Sequence, residues 1–333
     1  MGYLMILRSL SLVATIVTLA VVPALADPPG DSKSTISLQG ENDSSNPDSD
    51  KYYTNGLRIG YTSPTDALSG TLADLSRAML GPGQQRFAIG LSQLIFTPRH
   101  TTAANPPTTD RPYAGLLLGT VGLITDTDAT RTAFGLSLGV IGPAALGNQV
   151  QNGWHSLIHH YYVAGWRTQI PNQPVIQLTE DRSWRLPLVT MGALEIDAIP
   201  DLTVGAGTFR IYGQAGGQLR LGQGLRSDFG VPRIRPGLTG TDTYVQVRDH
   251  VSWYIFVGAD GQAVAWDETL DGLAFARSRH VSREPLVGEL EGGIALLIDG
   301  WRLTASQVLQ TAEFQTQNAG LFQFTSISAS FKF

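Results

Sequence analysis

The chain has 333 residues, enough for one large domain, and a formal net charge of only −5. Charged residues are sparse at 15% and no basic stretch has the density of a nucleic-acid binder, so a nucleic-acid partner is not expected. With no cysteine, neither a disulfide framework nor thiol chemistry is available.

Residues 1–26 read as a secretory signal. Arg8 gives the positive start, Leu10 to Val22 the apolar centre, and Ala24-Leu25-Ala26 the small-residue cleavage site before Asp27. An uncleaved membrane helix is the alternative, but the Pro/Gly/Asp-rich sequence that follows favours cleavage. Residues 27–333 then form the working domain, in which no apolar run approaches the ~20 residues of a spanning helix.

Alternating segments with roughly the length of a spanning β-strand (~9–11 residues) recur instead. They fall near 35–42, 53–63, 86–97, 114–125, 131–141, 166–178, 186–198, 203–221, 251–266, 285–298, 301–311 and 321–333. Twelve is an even number, as closed single-chain bacterial barrels have. The last segment ends the chain on the alternating aromatics Phe331 and Phe333, like the terminal strand of an outer-membrane barrel. A soluble sandwich would leave that apolar edge exposed to aggregation. The expected fold is all-β: a transmembrane antiparallel β-barrel of about 12 strands with an external-loop helix.

With both termini in the periplasm, the external loops are 43–52, 98–113, 142–165, 199–202, 267–284 and 312–320. Asn42, Asp43, Thr54, Arg111 and His155 then collect at the outer rim. Of the periplasmic connections, 126–130 is short and Asp299-Gly300 is a two-residue hairpin turn. Residues 64–85 carry an amphipathic helix (Leu68, Leu72, Leu75, Met79), and 222–250 is long and rich in Gly, Pro and Arg without a sequence reason.

Three segments carry candidate chemistry. In Gly40-Glu41-Asn42-Asp43, running through Asp48 and Asp50 into Tyr52-Tyr53-Thr54-Asn55-Gly56, oxygens meet across a hairpin and suit a hard cation such as calcium. Period two puts Ser37, Gln39, Glu41 and Asp43 on the polar inner face, with Thr54, Gly56 and Arg58 on the inner face of the next strand. Asn42 points outward unless the strand bulges. The competing reading is a solvated acidic loop of Asx turns.

In Thr109-Asp110-Arg111-Pro112-Tyr113-Ala114-Gly115, Arg111 could grip a phosphate in bidentate fashion, or pair locally as a structural residue. In the third segment, Gly142-Pro143 breaks a strand and opens an amphipathic helix. Gln149, Gln151, Asn152 and His155 form its polar side, and Val150, Trp154, Leu157 and Ile158 its apolar side. A histidine there can activate water, since its free pKa lies near neutrality. A plain surface histidine is the alternative. His155 and His159 at i, i+4 lack the intervening Glu of a zinc helix, and no G-x-S-x-G nucleophile motif is present.

These segments resemble the outer-membrane lipid A 3'-O-deacylase family. The matching residues are Glu41-Asn42-Asp43, Tyr53-Thr54-Asn55-Gly56-Leu57, Asp110-Arg111-Pro112-Tyr113-Ala114-Gly115, and Gly139-Val140-Ile141-Gly142-Pro143 through Gln149-Val150-Gln151-Asn152 to His155. The resemblance implies a twelve-stranded barrel with its active site between the wall and an external-loop helix. It also implies calcium-dependent release of the 3'-linked acyloxyacyl group of lipid A in the bacterial outer membrane. His155 would be the base and Asn42 would orient it or the substrate. Asp43 and Thr54 would belong to the calcium and oxyanion region, and Arg111 and Gln151 would contact substrate. Two departures stand out. Thr101 to Thr109 lacks the basic pair expected to hold a lipid A phosphate, leaving Arg99, His100 and Arg111, and the glutamate expected six residues after the histidine is Tyr161. The partners expected are lipopolysaccharide and the outer membrane, with the protein a monomer. A non-enzymatic channel or scaffold and a glycerophospholipid hydrolase are the alternatives.

Overall fold

The computed structural model describes residues 30–44, 50–234, 244–245, 251–317 and 320–333. The signal segment, Asp48 and most of 235–250 lie outside the described residues. One antiparallel sheet closes on itself. Its strands are β1 (Thr35–Asn42), β2 (Tyr52–Thr62), β3 (Gln84–Thr97), β4 (Ala114–Asp126), β5 (Thr130–Ile141), β6 (Gln173–Trp184), β7 (Leu186–Met191), β8 (Leu194–Gly207), β9 (Arg210–Gln223), β10 (Val251–Asp267), β11 (Leu286–Ile298), β12 (Trp301–Gln310) and β13 (Phe322–Lys332). β1 pairs with β13, and β6 pairs with β8 as well as β5. Twelve strands therefore make a closed wall, and the short β7 pairs with β8 alone.

The thirteenth strand corrects the expected count. The segment read as 186–198 folds at Gly192, whose φ of 62° opens a tight turn into the β7–β8 hairpin. The region read as an external loop at 199–202 lies inside β8, and the real connection is Thr208-Phe209. Pro200 sits where β8 changes neighbour, after Ala198 pairs with Leu186 and before Asp201 pairs with Ser183. A proline is tolerated at such a gap because no ladder N–H is needed. Trp166 belongs to a 3-10 turn, Ala164–Thr168, and the sixth strand starts only at Gln173. Asp299-Gly300, both at positive φ, forms the predicted hairpin.

Period two sorts the wall. Ile59, Ile89, Leu91, Val121, Leu138, Ile176, Ile255, Ile294 and Ile327 form an exposed apolar exterior, as a wall facing lipid requires. Inward-facing positions carry buried polar groups, among them Gln39, Glu41, Arg86, Arg220, Glu289 and Arg302.

The long connection after β9 has its reason here: residues 225–234 fold back and plug the lumen. Gln39 Nε2 donates to the Pro232 carbonyl at 2.9 Å, and the Ile234 N–H donates to Glu41 at 3.0 Å. Arg233 reaches Glu41 and Glu289, each at 3.1 Å. Asp228 joins Arg220 at 2.5 Å and Arg302 at 2.9 Å, and accepts from the Tyr254 hydroxyl at 2.9 Å. Of the Gly, Pro and Arg that looked purposeless, Gly230, Pro232 and Arg233 supply a turn, a carbonyl acceptor and a charge of this plug.

Asp228→Ala would leave Arg220 and Arg302 short of a buried counter-charge. A loss of about 3–5 kcal/mol in stability is expected, read as a lower unfolding midpoint in detergent, with more ion leakage through planar bilayers than the native protein shows.

Candidate functional site

Helix α2 (Gly147–Leu157) follows β5, and it lies against the outer face of the wall rather than over the barrel mouth. Two glycines allow the approach. A Cβ on Gly115 would sit 3.1 Å from the Gly147 nitrogen, and one on Gly147 would sit 2.6 Å from the Trp166 ring. Trp166 packs with Ile95, Tyr113 and Val163 on that face, and its indole N–H donates to Gln151 at 2.8 Å. The turn into the helix needs Gly142 at φ 103°, where a side chain would strike the Pro171 carbonyl.

The helix turns its polar side to the wall. Gln151 and His155 are buried, while Trp154 and Leu157 are 58% and 71% exposed. His155 Nδ1 lies 2.7 Å from the Tyr161 carbonyl. A carbonyl can only accept, so Nδ1 carries the proton and Nε2 is the nitrogen left for proton traffic. Nε2 faces the Asp50 carboxylate at 3.1 Å. The same Asp50 oxygen accepts from the Tyr161 hydroxyl at 2.8 Å, and Thr101 Oγ1 stands 2.7 Å from that hydroxyl. Burial pushes the Tyr161 phenol up to about 12, so it remains a donor at neutral pH.

The β1–β2 hairpin brings its oxygens to the same place. A bulge between Tyr53 and Asn55 lets Thr54 leave the inner face expected for it, and its hydroxyl lies 2.7 Å from that of Thr97 on β3. Thr97 in turn donates to the Asp50 carbonyl at 2.8 Å. Asp43 is fully buried, its N–H donating to the Thr54 carbonyl at 3.3 Å and its Oδ2 accepting from the Lys51 N–H at 2.9 Å. Desolvation, with the Asp50 charge nearby, pushes the Asp43 carboxyl up to about 7.

Asp43, Thr54, Gln151 and His155 are thus brought to one wedge between helix and wall. Asn42 points outward, as period two requires, and its amide closes the hairpin turn beside them, donating to the Thr54 carbonyl at 3.1 Å and accepting from the Ser44 N–H at 2.8 Å. One predicted residue is not there. Arg111 is fully buried on the lumen side, bonded to Glu313 at 2.8 Å and Thr269 at 3.0 Å over the Phe96 ring. That corrects its assignment as a phosphate grip, since its guanidinium already holds a buried carboxylate. His155 and His159 form no zinc pair, because both His155 nitrogens are engaged.

Asp50, Thr97, Thr101 and Tyr161 are what residue-by-residue reading missed. Asp50 was visible only as one carboxylate among several, and its φ of 62° has no sequence mark. The set of two carboxylates plus hydroxyl and carbonyl oxygens fits a hard divalent cation, which accepts such neutral oxygens. Among the described residues, no three His, Cys, Asp or Glu side chains cluster as a self-sufficient metal cage.

Because Asp43 binds its proton more tightly folded than unfolded, its contribution to stability is present below about pH 4 and lost as pH rises through about 7. In chelator, stability should therefore fall between about pH 4 and pH 7, by at most ~1.4 kcal/mol per pH unit, and level off above. Asp43→Asn should flatten that slope in unfolding measurements.

No curated protein sequence matches the chain. Among solved structures, LpxR from Salmonella typhimurium superposes with a TM-score of 0.75 at 19% identity, over 90% of this chain and all (100%) of that one. The β domain of the Bordetella autotransporter BrkA follows with a TM-score of 0.43 at 12% identity, over 92% of this chain and 100% of that one. The first shares the barrel fold. The family model described as outer membrane protein LpxR matches residues 12–333, so the chain belongs to the LpxR family of outer-membrane β-barrel proteins.

Proposed function

We propose that this barrel is an ester hydrolase that removes the 3'-linked acyloxyacyl group of lipid A, using water activated by His155. The observation that carries the reading is the buried His155, fixed through Nδ1 by the Tyr161 carbonyl and facing Asp50 through Nε2, on the lipid side of the wall. An ester in the outer leaflet reaches that wedge laterally, without crossing the lumen.

In this reading, a water replaces the direct contact between Nε2 and Asp50 and gives its proton to Nε2 as it attacks the ester carbonyl. The Asp50 carboxylate stabilises the imidazolium that forms, and Tyr161 and Thr101 keep Asp50 turned toward the ring. The imidazolium then returns the proton to the leaving alkoxide. Asp43, Asp50 and Thr54 are the residues that would hold calcium, and a bound cation would supply stabilisation of the developing oxyanion. The salt-bridged plug speaks against a channel, because it occupies the lumen a solute would use.

The test is mass spectrometry of lipid A and glycerophospholipids from cells making the native protein or His155→Ala. Native cells should lose an acyloxyacyl unit from lipid A, and the variant should retain it, with a general base contributing about 10²–10⁴-fold. Loss of acyl chains from glycerophospholipids alone would support the other hydrolase reading. Unchanged lipids of both classes, with the barrel inserted and calcium supplied, would overturn the hydrolase. Asp50→Asn should lower turnover while leaving the barrel's unfolding midpoint near that of the native protein, measured in the same detergent.

A further inference from the structure

The connection between β2 and β3 lies at the end of the barrel that holds both chain termini, opposite the candidate site, and contains helix α1 (Gly70–Leu80). This helix packs against β3, β4 and β5. The pattern of the wall shows what it covers. Arg86, Asp126 and Arg131 point into the lumen, where Asp126 bridges both arginines, so their neighbours Gln85, Thr125 and Thr132 point outward. Those three stand in one row of the sheet and are polar, yet all are buried. Gln85 accepts from the Ser76 hydroxyl and donates to the Gly81 and Gly83 carbonyls, each at 3.3 Å.

The next row toward the membrane centre is Phe87, Leu123 and Phe134, and beyond it Ile89 and Val121 are open to lipid. Tyr61 lies beside Phe87 at a ring separation of 5.9 Å, and Trp301 and Phe331 stack at 4.6 Å near the same end. Such aromatics mark the interface between bilayer and water.

Helix α1 has three sides. Ala73 and Ser76 are buried against the wall. Asp74 and Arg77 are exposed and lie 3.6 Å apart. Leu72, Leu75 and Met79, at spacings of three and four, form a third side and are 60%, 50% and 46% exposed. A helix resting on a water-soluble surface would bury its leucines and show its serine. This one does the reverse, over a polar row of the wall just below the aromatic level.

We infer that α1 is an interfacial anchor whose Leu72, Leu75 and Met79 side enters the periplasmic leaflet of glycerophospholipids. It extends the lipid-facing belt over the polar row while Asp74 and Arg77 stay at the water side. The occupant follows from continuity, because the apolar side adjoins a surface already in lipid.

The absence of cysteine makes the test direct, since Leu75→Cys or Met79→Cys creates a unique site for a nitroxide label. In bilayers of phosphatidylethanolamine and phosphatidylglycerol, labels at 75 and 79 should be relaxed by dissolved oxygen and shielded from a water-soluble nickel chelate. A label at Asp74→Cys should show the opposite preference. Equal nickel accessibility at 74, 75 and 79 would overturn the inference. Leu72→Cys gives a third reading of the same side should one variant fail to insert.

Discussion

The constraint on which everything else rests is backbone hydrogen bonding in hydrocarbon. With no water to satisfy stray N–H and C=O groups, a spanning sheet must have no open edge. Here the seams that close it are β1 against β13 and β6 against β8. Closure separates two environments one side chain apart along every strand. The outer one takes Ile, Leu and Val, and the inner one holds arginines and carboxylates. Buried ions are tolerated only when paired, which is why the lumen is an interlocked set of ion pairs and why a returning loop can be held there. Arg233 and Asp228 of the plug complete pairs that wall residues begin.

The same partition explains why the candidate chemistry sits outside the barrel. The lumen is already filled, whereas at the outer wall Gly115 and Gly147 let a helix lie close enough to cover polar groups. Between α2 and the wall are a histidine, two aspartates, three threonines and a tyrosine that would be costly if exposed to lipid, and Trp154, Leu157 and Ile158 stand on the outer side. Helix α1 repeats the arrangement at the other end, on strands of the same sector. Each helix has its small or polar side on the wall and its apolar side outward. Inverted amphipathicity is thus a general device in this molecule for placing polar groups at a lipid boundary.

Tyr161, in place of the expected glutamate, joins both members of the His155–Asp50 pair. Its carbonyl fixes one histidine nitrogen and its hydroxyl holds the carboxylate facing the other. One residue after the helix therefore touches both members of the pair. The missing basic pair has no such substitute in Arg111, whose guanidinium belongs to Glu313.

Alternation and turn chemistry were legible locally. Eleven residues of α2, the Asp299-Gly300 hairpin and most strands lie where period and punctuation place them, because these depend on neighbours within a few positions. The outward turn of Asn42 follows from period two in the same way. What failed depends on distant partners. Residues 199–202 read as a loop until β8 is seen exchanging β7 for β6, and 225–234 looks idle until Glu41 and Arg302 are found across the lumen. The Thr54 bulge and the union of Asp50 with His155, over one hundred positions along the chain, exist only once β2 and β3 are in register and α2 is seated. Sequence by itself determined the alternation, and with it the barrel and its helices, since both come from short-range periodicity. Which polar groups meet was decided by closure, because closing the sheet sets the register that brings remote residues together.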